Sequence, residues 1–162
     1  MRCEKIAPCY PQFPRCKPRG IAFTCCFLGR RDGKVPKRIV KRMEEAEKLT
    51  KSNTGLTFTV AFNYGGRAEI VDAVQKVIDS GVKKVTEKTI ERNLYNPEMP
   101  DPDLVIRTSG ESRVSNFLLW ELAYSELVFS DTLWPDFSRK DLFNAIKEFQ
   151  DRDRRFGGLG GS

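Results

Sequence analysis

Short runs rich in β-branched and aromatic residues alternate with segments of helical period, which confines the chain to an α/β fold with a mainly parallel sheet flanked by helices. Pro36 opens the first helix in its first turn. Ile39, Met43, Ala46 and Leu49 form its apolar stripe, and Glu44–Lys48 and Glu47–Lys51 are favourable pairs on the wet side. Asn53-Thr54-Gly55 ends that helix, and Leu56 to Phe62 reads as a strand. Asn63-Tyr64-Gly65-Gly66-Arg67 is a tight turn into a second helix, which buries Ile70, Val71, Val74, Val77 and Ile78 and stops at Gly81.

The second half repeats the alternation. Thr86 to Asn93 is a short helix, Pro97, Pro100 and Pro102 mark a stiff loop, and Leu104-Val105-Ile106 is a short buried strand. A polar run, Arg107 to Ser115, leads into a helix from Asn116 to about Tyr124 that is apolar on most sides. Leu127-Val128-Phe129 is another strand, and Trp134 to Phe137 a turn. Ser138 caps the last helix, with Asp141 at the third helical position in a capping box. Leu142, Ala145, Ile146 and Phe149 are its buried stripe, and Arg152, Arg154 and Arg155 lie near its negative end.

The 162 residues fit one domain. Pro8, Pro11, Pro14 and Pro18 crowd an N-terminal stretch of no clear period, so residues 1–26 are expected to be an irregular segment, with the ordered domain over 27–158 and a glycine-rich flexible tail over 159–162. Net charge is +6, which favours an anionic partner. The basic residues are dispersed and no nucleic-acid motif is visible, so a phosphate ligand at a discrete site fits better than nucleic acid. The chain has no histidine and no Cys-x-x-Cys spacing, which argues against a zinc site and against Ser-His-Asp or Cys-His catalysis. Its 5 cysteines are an odd number and no secretion signal precedes them, so they are read as reduced thiols of a cytoplasmic protein. No apolar run is long enough to cross a bilayer.

The polar run is the leading candidate site. It connects the end of a strand to the start of a predicted helix, where ligands of open α/β sheets bind. Arg107 and Arg113 carry planar guanidiniums that match phosphate oxygens, and Ser115 lies where free backbone N–H groups favour an anion. A solvated loop with surface arginines is the bland alternative. Three readings are open for Glu126: a metal ligand, an ion-pair partner for an arginine, or a surface acid. Asp131 and Asp136 are weaker candidates, Asp136 being turn chemistry. The two glycines of Asn63–Arg67 are read as a turn needing positive φ, with Arg67 paired to an acid. Arg155-Phe156-Gly157 follows a helix end.

Together the runs Asp103 to Leu127, Trp134 to Phe137, Asn63 to Arg67 and Arg154-Arg155-Phe156-Gly157-Gly158 resemble the cis-prenyltransferase family, which includes undecaprenyl diphosphate synthase. The family condenses isopentenyl diphosphate with an allylic diphosphate to make Z double bonds. The resemblance implies that Arg107, Arg113, Val114 and Ser115 bind isopentenyl diphosphate and that Glu126 is one of two Mg²⁺ ligands. It also implies that Arg155 and Gly157 contact diphosphate across a homodimer, or a heterodimer with a full-length member, with a membrane surface within reach. The family's phosphate loop, Met-Asp-Gly-Asn-Gly-Arg-Trp, supplies the other Mg²⁺ ligand and holds the allylic diphosphate. That run is absent from the sequence. The chain is therefore expected to lack the family's first strand, phosphate loop and tunnel helices, and so to be inactive alone. The alternative is a non-catalytic partner subunit of a heteromeric enzyme.

Overall fold

The computed structural model describes residues 23–152. The chain divides into two compact units, Met1–Asn63 and Tyr64–Ser162, within what the sequence predicts as one domain. In the first unit, strand β1 (Thr24–Leu28) pairs in parallel with β2 (Thr57–Ala61), with Thr24 opposite Thr57 and Leu28 opposite Ala61. Helix α1 (Lys37–Thr50) joins them and packs on β1. The strand β1 starts ahead of the boundary predicted at residue 27 and was not among the predicted strands. Its paired cysteines carry little β signal, yet Cys25 is buried, and burial pushes its thiol pKa up.

Helix α1 forms where predicted, with Pro36 one position earlier, as the N-cap. Met43 is buried, whereas Leu49 at the end of the expected stripe is 81% exposed. Glu47 does not serve Lys51. Its Oε1 accepts from the Phe27 N–H at 3.1 Å and pairs with Arg31 at 2.5 Å, because β1 and the loop after it bring those donors to its face of the helix. Gly29, at φ +132, closes the β1 end against β2, and a Cβ there would stand 2.1 Å from the Phe62 carbonyl oxygen.

In the second unit, helix α2 (Gly66–Asp79) and the short α3 (Glu87–Glu91) enclose a cluster of Ala73, Val77, Ile90 and Leu94, with Trp120 packed against it. Thr86 caps α3 with a capping box, and Gly81 ends α2 at φ +71 as predicted. The buried face of α2 differs from the predicted one. Gly66, Glu69, Ala73 and Val77 are buried, while Val71 and Ile78 are 63% and 64% exposed. The helix is apolar on two sides, so its period alone does not choose a face. Hydrogen bonds to Glu69 choose it (below).

Strands β3 (Leu104–Arg107) and β4 (Glu126–Phe129) pair in parallel, with Leu104 opposite Glu126 and Arg107 opposite Phe129. Helix α4 (Arg139–Gln150) packs on both. Ser138 and Asp141 form the predicted capping box, and Ala145 is buried. The parallel α/β fold is thus the observed one, realised as two two-stranded ladders.

The helix predicted from Asn116 to Tyr124 is a correction. Only Glu121–Tyr124 coils, as a 3-10 turn, because Ser115, Asn116 and Leu118 sit at φ +48, +63 and +43. Residues 1–22 of the segment predicted to be irregular, the tail and the positions of Arg154, Arg155 and Gly157 lie outside the described residues. Among the described residues no helix is long and apolar enough to cross a membrane.

Alanine at Gly29 is strained by φ and blocked by backbone. Gly29→Ala is expected to lower the unfolding free energy by about 1–3 kcal/mol or more, read as a fall in the urea midpoint.

Candidate diphosphate site

Strand β3 ends at Arg107, and the chain turns at once through Ser109 and Gly110, at φ +73 and +68. The turn is pinned to the segment after β4: Ser130 N–H donates to the Arg107 carbonyl at 2.8 Å, Ser109 N–H to Thr132 at 2.9 Å and Gly110 N–H to Ser130 at 3.0 Å. Gly110 faces Asp131, whose Oδ1 would lie 3.3 Å from an added Cβ. These bonds fix the root of the polar run beyond the carboxyl end of the strand pair.

The two arginines converge on one acid. Glu111 accepts from Arg107 Nη2 through one oxygen and from Arg113 Nη2 at 2.6 Å through the other. The hydrogen bond from Arg107, with the charge of Arg113 beside it, holds the Glu111 carboxyl below its ordinary pKa. Glu111 was not singled out in the sequence, although its place between two arginines was visible. Arg107, Arg113 and Val114 line a cavity of about 190 Å³ whose other walls are apolar, Phe117, Leu122, Leu127 and Phe129 among them. Ser115 is exposed, one residue beyond the cavity lining. Arg107 at the end of β3 and Arg113, Val114 and Ser115 on the loop after it therefore lie close in the chain, the first three lining one cavity together with apolar side chains.

Glu126 is not with them. It opens β4 opposite Leu104, at the other end of the strand pair from Arg107, a separation of three residues or roughly 10 Å. Arg152 Nη1 donates to its Oε2 at 2.8 Å and to the Leu127 carbonyl at 3.0 Å, and the same guanidinium also reaches Glu148. Of the three readings open for Glu126, the structure displays the ion pair. Among the described residues no group of three or more potential metal-ligating side chains occurs. In this structure the Glu126 carboxylate is therefore taken up by the Arg152 guanidinium.

The turn Asn63–Arg67 also departs from expectation. Of these residues Asn63 alone has positive φ, at +51. Gly65 is extended, at φ −166, and Gly66 begins α2. Among the described residues Arg67 makes no ion pair. The glycines serve a close approach instead: a Cβ on Gly65 would meet Asn116 Nδ2 at 2.7 Å, and one on Gly66 would meet Leu119 at 2.9 Å. The Asn116 carbonyl accepts from Gly66 N–H at 2.8 Å and its Oδ1 from Arg67 N–H at 2.9 Å, so Asn116 caps α2 from the far side of the site loop.

Behind this cap lies a buried acidic cluster. Glu69, 1% exposed, accepts from Tyr95 N–H at 2.9 Å and from the Tyr64 hydroxyl, whose pKa is raised by burial and then by that hydrogen bond. Glu121 is 4% exposed, and its Oε2 has no hydrogen-bond partner among the described residues. Burial pushes the Glu121 carboxyl up, and the nearby negative charges of Glu69 and Asp101 add to it.

With this geometry in hand, the relatives are informative. The family model described as undecaprenyl diphosphate synthase matches residues 14–157. This chain belongs to the cis-prenyltransferase family. An isoprenyl transferase from Fusobacterium nucleatum is 53% identical over 133 residues, covering 82% of this chain and 57% of that protein. A Thermobifida fusca trans,polycis-polyprenyl diphosphate synthase, (2Z,6E)-farnesyl diphosphate specific, is 51% identical over 134 residues, covering 79% and 48%. Among solved structures, lavandulyl diphosphate synthase from Lavandula x intermedia, in complex with dimethylallyl diphosphate, superposes with a TM-score of 0.79 at 34% identity, covering 84% of this chain and 61% of that one. A probable undecaprenyl diphosphate synthase from Campylobacter jejuni gives 0.77 at 32%, covering 85% and 64%. This cis-prenyltransferase chain thus spans about half the length of the curated relatives it matches.

The buried Glu121 sets a pH dependence. Its folded pKa is raised, so its contribution to stability is full below the unfolded value of about 4.3 and is lost as pH rises through the folded value. Glu121→Gln carries no charge to bury. It is expected to match wild type near about pH 4 and to melt higher than wild type near about pH 8, in thermal melts across that range.

Proposed function

We propose that this chain carries the isopentenyl diphosphate half-site of a Z-polyprenyl diphosphate synthase. The observation that carries this proposal is the cavity along β3 that Arg107 and Arg113 line together with otherwise apolar residues. A diphosphate takes the guanidiniums, in exchange for Glu111, and the five-carbon group takes the hydrocarbon side. Ser115 and the backbone around Val114 complete the anion's hydrogen bonds. Membership of the family and the names of the relatives support the same substrate class.

The chemistry needs no histidine or cysteine. The terminal alkene carbon of isopentenyl diphosphate forms a bond to C1 of the allylic diphosphate, the C1–O bond breaks and inorganic diphosphate leaves. A proton then departs C2 of the former isopentenyl unit to leave the Z double bond. Holding the alkene close and oriented is the contribution of this half-site. Neutralising the leaving diphosphate belongs to the allylic half-site, whose phosphate-loop run this sequence lacks. The resemblance adds Arg155 and Gly157 as a contact across a dimer interface, and Glu126 as an Mg²⁺ ligand. As placed here, Glu126 is paired with Arg152, and no step is assigned to a metal.

Isothermal calorimetry with isopentenyl diphosphate tests the half-site. Arg107→Ala and Arg113→Ala, each removing a charge-assisted contact, are expected to weaken binding by roughly tenfold or more. Equal affinity in wild type and both variants would sink the proposal.

A further inference from the structure

Three of the four residues after Ser115 touch the turn Tyr64–Arg67: Asn116, Phe117 and Leu119. Asn116 accepts from the N–H groups of Gly66 and Arg67 at 2.8 and 2.9 Å. Phe117 meets the Tyr64 ring edge-on, with centroids 5.9 Å apart. Leu119 lies on Gly66 so closely that a Cβ there would stand 2.9 Å from the Leu119 backbone nitrogen. Neither Gly65 nor Gly66 has positive φ, so backbone freedom does not account for them. Room for this loop does.

The loop pays for its shape. Ser115, Asn116 and Leu118 all occupy the left-handed region, which leucine in particular avoids. An untethered segment would leave it. We propose that the Tyr64-Gly65-Gly66-Arg67 turn is the positioning element of the diphosphate site, and that Asn116 is its positioning residue. Its two hydrogen bonds hold the segment in the strained form, and so hold Ser115 and Arg113, one and three residues earlier, in the arrangement that a diphosphate meets. Without them the ligand has to reorder the loop as it binds, which costs affinity. This inference rests on the half-site proposed above and adds to it a residue that need not touch the ligand.

Calorimetry with isopentenyl diphosphate on the full chain separates the possibilities, alongside thermal melts of each variant. Asn116→Ala removes the side-chain cap. Gly66→Ala pushes on the Leu119 backbone while giving α2 a better helix former, so a purely helical role would leave affinity untouched. Both variants, measured below their melting transitions, are expected to bind roughly tenfold more weakly than wild type. Should Asn116→Ala fail to fold, Gly66→Ala decides alone. Wild-type affinity in the folded variants, with Arg107→Ala still defective, overturns the positioning role and leaves the half-site standing. Wild-type affinity in Arg107→Ala overturns the half-site, and the positioning role with it.

Discussion

The capping of α2 by Asn116 is the contact on which the second unit's geometry depends. A helix start leaves N–H groups without partners, and here a residue 49 positions away along the chain supplies the acceptors. The approach is possible because two successive residues have no Cβ. It forces the segment after the polar run out of helical geometry, since a residue that caps another helix with its carbonyl and side chain cannot also continue its own. The strain of three left-handed residues, about 1 kcal/mol or more each, is borne at that junction and offset by the contacts made there.

Charge is organised around it in two opposite ways. On the open side, Glu111 sits between Arg107 and Arg113 and keeps two guanidiniums near each other that would otherwise repel. Such exposed pairs contribute little to stability. On the closed side, Glu69 is fully enclosed but satisfied by Tyr64 and Tyr95, while Glu121 is enclosed with one oxygen unpartnered among the described residues. The unit tolerates a buried acid beside another acid, and the result is a carboxyl whose pKa is pushed up.

Much of the fold was legible because it is written locally. The strand at 57–61, the capping box of Ser138 and Asp141 and the stop at Gly81 follow from propensity and turn chemistry within a few residues. The convergence of Arg107 and Arg113 was legible for the same reason: one ends a strand and the other lies six residues on, in the loop that follows. The errors share a different cause. Leu49, Val71 and Ile78 were assigned to the core by period, but period names a helix and not the neighbour it faces. Glu47 was assigned Lys51 by spacing, whereas Arg31 reaches it from elsewhere in the chain.

The sequence by itself determined the α/β alternation, the polar run beyond β3 and the motifs that place the chain among the cis-prenyltransferases. Tertiary structure alone decided that Asn116 is a cap and not a helix start, that Gly65 and Gly66 are there for space and not for φ, and that Glu126 faces Arg152 at the far end of the strands from Arg107. The physical reason is range. Helix period, capping and turns are fixed by energies between residues a few positions apart. Close packing and the pairing of buried polar groups are settled between residues tens of positions apart, and those contacts override local preference where the two conflict.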